Sequence, residues 1–260
     1  MQLFDTHAHL DQSEFDADRA DVIARARAAG VENVISIGTS AATSAVCVRL
    51  AAEFDGVQAA VGMQPNYIAE AQLGDWDRIV ALAAEPGVVA IGETGLDRHW
   101  DFTPFDVQQD YFDRHIRLAT ERGLPFVVHM RDCDEDILVM LREAHARGPL
   151  VGVMHSFTGS RAMAEECLAM GLHISFAGMV TYKKSDELRA IAAIVPDDRI
   201  LIETDAPYLS PEPVRKIKRN EPAHVRHTAV RLAEVRGVSL EAFAAQTTAN
   251  ARRLFLPATT

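Results

Sequence analysis

The sequence predicts an α/β protein built as a TIM-type (β/α)8 barrel, and three observations support this fold class. Short apolar runs of β-forming residues recur at intervals of about 20 to 45 residues. Segments with helical periodicity separate these runs. Near-continuous apolar strands alternating with helices are typical of a parallel sheet buried on both faces, and eight such units in 260 residues match the size of a barrel. An open doubly wound sheet is the structural alternative.

Eight segments are predicted as strands. They are residues 2–7, 31–38, 57–63, 88–93, 124–129, 150–155, 172–177 and 200–204. Three of the intervening helical segments, 17–30, 106–123 and 134–148, each end in a glycine at the expected C-cap. The glycines of "IGETGLD" do not form the GxGxxG fingerprint, so dinucleotide binding is not indicated. Because neither a linker nor a repeat divides the chain, we expect one domain over residues 1–260.

The charge and the cysteine content limit the possible partners. The formal net charge of −11 argues against indiscriminate attraction to nucleic acid or to an anionic membrane, so a polyanionic ligand must be captured locally. Three cysteines without a CxxC pair are expected where thiols stay reduced. The first residues form no secretory signal, and no apolar run approaches 18 residues. We therefore expect a cytoplasmic protein without a membrane segment or an obligatory protein partner.

Polar side chains that can bind a metal follow the predicted strands at their carboxyl ends. His7 and His9 are two positions apart at the end of the first strand, so their imidazoles face the same side. Glu93, His129, His155 and Asp205 end four other strands. Each histidine alone is more often an ordinary rim residue. Convergence from five strands on the face where barrels build their active sites favours a metal cluster, since burying unpartnered polar groups costs roughly 1 to 3 kcal/mol each.

Seven motifs spread over nearly the whole chain point to one family. They are "FDTHAHLD" (4–11), "GETGLD" (92–97), "VVHMRD" (127–132), "HSFTG" (155–159), "ETDAPYLSP" (203–211), "RNEP" (219–222) and "NARRLF" (250–255). With them the chain resembles the TatD family of metal-dependent hydrolases and deoxyribonucleases, within the amidohydrolase superfamily. The resemblance implies two divalent metal ions. It implies that one ion is held by His7, His9, Glu93 and Asp205, and the other by Glu93, His129 and His155, with Glu93 as the bridge.

The predicted ligand set also suggests a chemistry. Imidazoles mixed with carboxylates suit Zn²⁺ or Mn²⁺, and a site with water-filled positions could use Mg²⁺. Two such ions can activate water for hydrolysis. Glu93 and Asp205 are the candidate catalytic residues, and Asp205 is either a ligand that also accepts the proton of the water or a ligand alone. Glu203 and Asp5 lie one layer deeper in their strands, where each either orients a ligand imidazole or forms a structural ion pair.

Basic and amide side chains on the same rim are the predicted substrate contacts. The loops after strands 7 and 8 carry Lys183, Lys184, Arg215, Lys216, Lys218 and Arg219. Barrels often bind phosphate on these loops. Arg131 follows a ligand histidine by two positions and suits bidentate phosphate contact. The committed substrate-binding set is Arg131, Gln64, Lys218, Arg219 and Asn220, and Tyr182 and Tyr208 could stack on a base. A solvated basic loop and packed aromatic rings are the alternatives.

The family pattern is broken in two places. Where the family usually has Gly-x-His-Pro-His after strand 3, this chain reads "GMQPN", so Gln64 and Asn66 replace two imidazoles. Amides can donate to phosphate but cannot shuttle protons near neutral pH, which affects rate or substrate choice. The loop after strand 8 lacks the glycine usual before its Lys-Arg-Asn-Glu-Pro run and is one residue longer.

The leading functional hypothesis is a two-metal deoxyribonuclease of the exonuclease type, acting on DNA or another phosphodiester. Hydrolysis of a small ester, lactone or amide is the second possibility, although Glu93 occupies the strand 4 position where many superfamily amide and triester hydrolases have a modified lysine. A metal-stabilised scaffold without catalysis is the third possibility.

Overall fold

A computed structural model of the protein describes residues 1–257 and contains eight parallel strands joined in sequential order. The strands are β1 (Leu3–Ala8), β2 (Val31–Ile37), β3 (Val57–Val61), β4 (Val88–Asp97), β5 (Phe126–Arg131), β6 (Gly152–Met154), β7 (His173–Phe176) and β8 (Ile200–Ile202). The α-helices are α1 (Arg19–Ala28), α2 (Ala41–Glu53), α3 (Asp75–Leu82), α4 (Phe105–Arg122), α5 (Asp134–Arg147), α6 (Arg161–Ala169), α7 (Asp186–Ile194), α8 (Val225–Arg236) and α9 (Leu240–Phe255).

The first and last strands meet, which closes the sheet. A parallel bridge joins Ala8, at the end of β1, to Ala206, just after β8. The amide of Asp205 donates to the carbonyl of His7 over 2.9 Å, and the amide of His9 donates to the carbonyl of Ala206 over 2.7 Å. Because each strand also pairs with its neighbours in sequence, the open doubly wound alternative is excluded and the predicted barrel is confirmed.

The observed strand ends differ from the predicted ones where the site is built. β4 continues four residues beyond the predicted end, to Asp97. Gly95 permits this, because its φ of +135° is unfavourable for other residues and a Cβ there would lie 2.0 Å from the carbonyl oxygen of His129. β6 and β8 are only three residues long, so His155 and Asp205 lie in the turns that follow them.

The barrel interior below the site is filled by apolar side chains. Val127, Val153 and Leu201 belong to one buried cluster, and each lies two positions before a polar residue of the site, so that it shares the same strand face. Helix α9 contributes to this cluster, with the ring of Phe255 6.4 Å from that of Phe4. The polar site therefore rests on a packed apolar layer, as expected for a barrel of this size.

The remaining expectations concern the termini, the thiols and the membrane. The predicted domain 1–260 includes residues 258–260, which lie outside the described part of the chain, and its unity stays a prediction. Cys47, Cys133 and Cys167 are buried free thiols. Within residues 1–257, no helix has both the length and the apolar character needed to cross a membrane.

Candidate metal centre

The six predicted ligands meet at the carboxyl end of the barrel, with the carboxylate of Glu93 at the centre. Its Oε2 lies 3.5 Å from Nε2 of His7 and 3.7 Å from Nε2 of His9. Its Oε1 lies 2.9 Å from Nδ1 of His129 and 3.3 Å from Nε2 of His155. One carboxylate therefore faces two separate pairs of imidazoles, one with each oxygen.

Asp205 completes the side of the cluster formed by the first strand. Its Oδ1 lies 3.3 Å from Nε2 of His9 and 3.5 Å from Nε2 of His7. Two triads result whose ligand atoms all lie within 4.8 Å of one another: His7, Glu93 and His155, and His7, His9 and Asp205. His129 contacts the same carboxylate but belongs to neither triad.

Asp205 is positioned by a turn of unusual backbone conformation. Its φ of 56° lies in the left-handed region, which aspartate tolerates better than most residues because its short side chain can bond locally. Ser156, directly after His155, has a φ of 42°. Residues held in this region cost roughly 1 to 3 kcal/mol and occur often at functional sites.

Three of the four imidazoles use one ring nitrogen to bond to the protein framework. Nδ1 of His9 lies 3.1 Å from the carbonyl oxygen of Ile37, and Nδ1 of His155 lies 3.3 Å from Oε1 of Glu203. Nε2 of His129 lies 2.9 Å from a carboxylate oxygen of Asp97. Because an oxygen acceptor fixes the proton on that nitrogen, the other nitrogen presents its lone pair to the cluster.

This donor set fits divalent cations. Nε2 of His7 and Nε2 of His9 lie 3.3 Å apart and both face the carboxylates, so a cation between them would satisfy lone pairs that otherwise oppose each other. Nδ1 of His7 is buried and has no hydrogen-bond partner among the described residues. Mixed imidazole and carboxylate ligands on short, buried segments are typical of zinc or manganese sites.

The electrostatics of the cluster favour ionised carboxylates. Burial raises the pKa of Glu93, but the charge of His155 and hydrogen bonds from His129, His155 and His7 outweigh it and hold the pKa well below its usual range. Burial likewise opposes ionisation of Asp205, whose pKa is lowered by His9 and His7. Both side chains are therefore available as anionic ligands.

Glu203 and Asp5 differ in what they touch. Oε1 of Glu203 faces Nδ1 of His155 and also accepts from the amide of Ser156 over 2.7 Å, so Glu203 orients a cluster imidazole. Asp5 instead accepts from the amide and hydroxyl of Thr204, over 2.9 Å and 2.6 Å. Burial raises the pKa of Asp5 to about 8 in spite of these bonds. Asp5 thus ties β1 to the turn after β8 rather than orienting a ring.

Asp97 is a functional residue that sequence reasoning missed. Its Oδ2 accepts from Nε2 of His129 and from Nδ2 of Asn66, both over 2.9 Å. Its Oδ1 accepts from the amides of His99 and Trp100, and its pKa falls to about 2 because bonds from His129 and Asn66 outweigh burial. One sequence signal could have found it: Asp97 follows Glu93 by four positions in one strand, which places both on the same face.

A cavity of about 560 Å³ opens above the cluster. Of the predicted substrate contacts, Gln64 and Arg131 line it, together with Asn66 and Tyr208. Tyr208 is 47% exposed, and its ring lies 6.0 Å from that of His9. Asn66, in the place of a family histidine, binds Asp97 rather than pointing an imidazole at the cluster.

The structure does not bring the other three predicted substrate contacts into the cavity lining. The guanidinium of Arg219 pairs with both carboxylate oxygens of Asp18, over 2.6 Å and 2.8 Å. Asn220 is fully buried, and its Nδ2 donates to the carbonyls of Thr204 and Tyr208. Lys218 is exposed on the loop outside the lining. Arg219 and Asn220 therefore fasten this loop to the barrel.

The aromatic and basic residues of the loop after β7 are also outside the lining. The hydroxyl of Tyr182 donates to the carbonyl of Ser210 over 3.1 Å, and the guanidinium of Arg215 lies 3.9 Å from the Tyr182 ring centroid. Lys183 and Lys184 are exposed. Tyr182 packs within the loops and is not an exposed stacking surface.

A closed parallel barrel with clustered histidines and carboxylates at its carboxyl end has the architecture of a metal-dependent hydrolase. Comparison with known proteins agrees: the family described as TatD related DNase matches residues 4–256, so the chain belongs to this family and is a metal-dependent hydrolase. The predicted resemblance is confirmed.

Individual relatives are similar over almost their whole lengths. The "uncharacterized metal-dependent hydrolase YabD" of Bacillus subtilis is 42% identical, with 97% of this chain and 98% of YabD covered. The "3'-5' ssDNA/RNA exonuclease TatD" of Shigella flexneri is 37% identical, with coverage of 97% and 98%. The crystal structure of YJJV, a TatD homologue of Escherichia coli K12, superposes with a TM-score of 0.90 at 29% identity, covering 97% of both chains.

Proposed function

We propose that this chain hydrolyses phosphodiester bonds in single-stranded nucleic acid, DNA in the first place, from a strand end. The observation that carries the proposal is the Glu93 carboxylate, whose two oxygens face two separate imidazole pairs at the base of a cavity. A site that holds two cations side by side suits a phosphodiester, because both the attacking and the leaving oxygen need charge stabilisation. The name of the Shigella flexneri relative, a single-strand exonuclease, supports the same substrate class.

The proposed cation ligands are the six clustered side chains. His7, His9, Glu93 and Asp205 would hold one ion, and Glu93, His129 and His155 would hold the other. When bound, two such ions neutralise phosphate charge and lower the pKa of water from about 15.7 towards about 7. Asp97 and Glu203 keep the rings of His129 and His155 in the required orientation through their other nitrogens.

Asp205 is the proposed proton acceptor. Its side chain is 15% exposed and lines the cavity, so the carboxylate is accessible to a water molecule there. The contacts with His9 and His7 that lower its pKa keep it ionised near neutral pH, which is the form that can take a proton. Asp205 is thus proposed to remove the proton of the attacking water.

Gln64 and Arg131 are the proposed phosphate contacts. Both line the cavity. Arg131 is exposed and takes part in none of the ion pairs found among residues 1–257, so its guanidinium is available for a bidentate contact with a phosphate. The reduced, unpaired cysteines are consistent with activity in the cytoplasm, which stays a prediction.

The test compares nucleic acid with small substrates. Protein reconstituted separately with Zn²⁺, Mn²⁺ or Mg²⁺ is incubated with end-labelled single- and double-stranded DNA, and in parallel with a panel of small esters, lactones and amides. We expect shortening of the single strand that is abolished by chelator and by Glu93→Gln. Glu143→Gln, at an exposed position of α5, is the matched control and should retain activity. Intact DNA with consumption of a small ester would instead support the second hypothesis.

A further inference from the structure

The loop after β4 exposes two aromatic rings side by side. Trp100 is 44% exposed and Phe102 is 59% exposed. Their ring centroids are 5.4 Å apart and the ring planes differ by 9°, so the rings are stacked. Scattered exposed apolar residues are ordinary, whereas a contiguous pair of stacked rings left in water is a feature that needs a reason.

This ring pair is attached to the metal centre by hydrogen bonds. The amide of Trp100 donates to Oδ1 of Asp97 over 3.1 Å, and Oδ2 of Asp97 accepts from His129 over 2.9 Å. Trp100 is also part of the cavity lining. A single side chain, Asp97, therefore positions both the indole and a ring of the cluster.

A cationic side chain completes the surface. The guanidinium carbon of Arg131 lies 5.7 Å from the Trp100 ring centroid, and Arg131 lines the same cavity. The edge of the indole is held by His99, whose ring is perpendicular to it at 4.7 Å and whose Nδ1 is 3.1 Å from Asp132. The surface thus combines an immobilised π face with a positive charge.

We infer that Trp100 and Phe102 bind a nucleobase by stacking while Arg131 contacts the adjoining phosphate. We call these three residues the Trp100 platform. Stacking on aromatic rings tolerates every base, because each base has a π face. Bases in a duplex are already stacked on each other, so only a single strand can offer a free base at this place. The inference rests on the proposed function and makes the platform the element that selects single strands.

The chain has two tryptophans, which allows a direct binding measurement. Trp76, on α3, is half-buried against Tyr111 and His115, with ring centroids 5.8 Å and 4.9 Å away. Trp76→Phe leaves Trp100 as the only indole. We expect its fluorescence to be quenched saturably by a phosphorothioate oligothymidylate, which resists hydrolysis. In Trp100→Phe, where Trp76 is the only indole, the same titration should leave the signal unchanged.

Kinetics provide the second measurement. For each variant the ratio of kcat/KM for a single-stranded oligonucleotide to kcat/KM for bis(p-nitrophenyl) phosphate is determined. Since one base stack on an aromatic ring is typically worth a tenfold change or more, Trp100→Ala should lower this ratio about tenfold, and Trp100→Phe should lower it less. Trp76→Phe is the control and should keep the wild-type ratio. Circular dichroism verifies that each variant is folded.

The outcomes separate this inference from the proposed function. If DNA is degraded but the Trp100 signal and the kinetic ratio do not respond, the platform is refuted and the nuclease assignment stands. If DNA is neither degraded nor bound, the proposed function itself fails. If the Trp100 signal changes with protein concentration instead of oligonucleotide, and sedimentation detects a dimer, the ring pair is an interface between copies of the chain and the inference is overturned.

Discussion

Asp97 accepts a hydrogen bond from Nε2 of His129 over 2.9 Å, and the other ring nitrogen of His129 lies 2.9 Å from Glu93. Imidazole is therefore held between two carboxylates, of which one orients the ring and the other shares the cluster. Asp97→Asn keeps the shape but removes the charge that fixes the ring. Loss of such a partner typically lowers metal affinity about 10- to 100-fold.

We expect this reduction for Asp97→Asn in calorimetric titration with Zn²⁺ or Mn²⁺. Asp21→Asn, at an exposed position of α1, is the control and should bind metal like the wild type. Equal affinity of the Asp97 variant and the wild type would show that Asp97 serves only to hold its own loop.

Two metal ions per chain are predicted, because six ligands around one shared carboxylate exceed the needs of a single ion. Metal analysis after reconstitution and removal of excess metal should give a ratio near two. Glu93→Ala should lower the ratio, since both imidazole pairs lose their common partner. Saturation at one ion, unchanged in Glu93→Ala, would contradict the bridging role.

Asp205→Asn should lower kcat by on the order of a hundredfold or more, since the amide is nearly isosteric but cannot accept a proton from water. Much of the metal content should remain, because three imidazoles and Glu93 are unaltered. Steady-state kinetics combined with metal analysis distinguishes loss of a base from loss of the ion. Wild-type turnover in this variant would refute the assignment.

The basic loop after β8 divides into exposed and internally paired residues. Lys216 and Lys218 are exposed and belong to none of the ion pairs within residues 1–257. If they contact the phosphate backbone, Lys216→Ala with Lys218→Ala should flatten the salt dependence of oligonucleotide KM, by up to about 0.7 in logarithmic slope per lost contact.

Arg219→Ala is the comparison for that experiment. Because Arg219 pairs with Asp18 and also donates to the carbonyl of Glu14, we expect a lower Tm and little change in the salt slope. A slope that falls in Arg219→Ala but not in the lysine double variant would reverse these assignments.

His115 is predicted to make the fold sensitive to acid. It is fully buried, its Nε2 accepts from the amide of Met63 over 3.0 Å, and its Nδ1 donates to the carbonyl of Tyr111. Burial lowers its pKa from 6.5 to about 4. Between these values the unfolded chain binds the proton and the folded chain does not. The stabilisation is therefore complete above pH 6.5 and is lost as the pH falls towards 4.

The loss amounts to roughly 3 kcal/mol at most. Urea denaturation at a series of pH values measures it. His115→Gln carries no titrating ring, so its free energy of unfolding should depend less on pH over this interval. Parallel pH profiles for the variant and the wild type would assign the acid sensitivity to other groups, such as His173, whose pKa burial lowers to about 4.

The sequence by itself determined the barrel and the identity of the clustered side chains. His7, His9, Glu93, His129 and Asp205 could be chosen because each follows an apolar strand, and parallel strands in a closed barrel bring all their carboxyl ends to one rim. That argument needs only the period of a strand and the order of the strands, and both are local properties of the sequence.

Only the tertiary structure decided how the surrounding side chains are used. Asp97 lies beside His129 because Gly95 lets β4 continue along β5, and Arg219 is taken up by Asp18, 201 residues away in sequence. No local pattern distinguishes an arginine that meets such a partner from one that faces the cavity. The hydrogen bonds that orient rings and fasten loops join residues distant in the chain, so their partners are set by three-dimensional packing rather than by spacing.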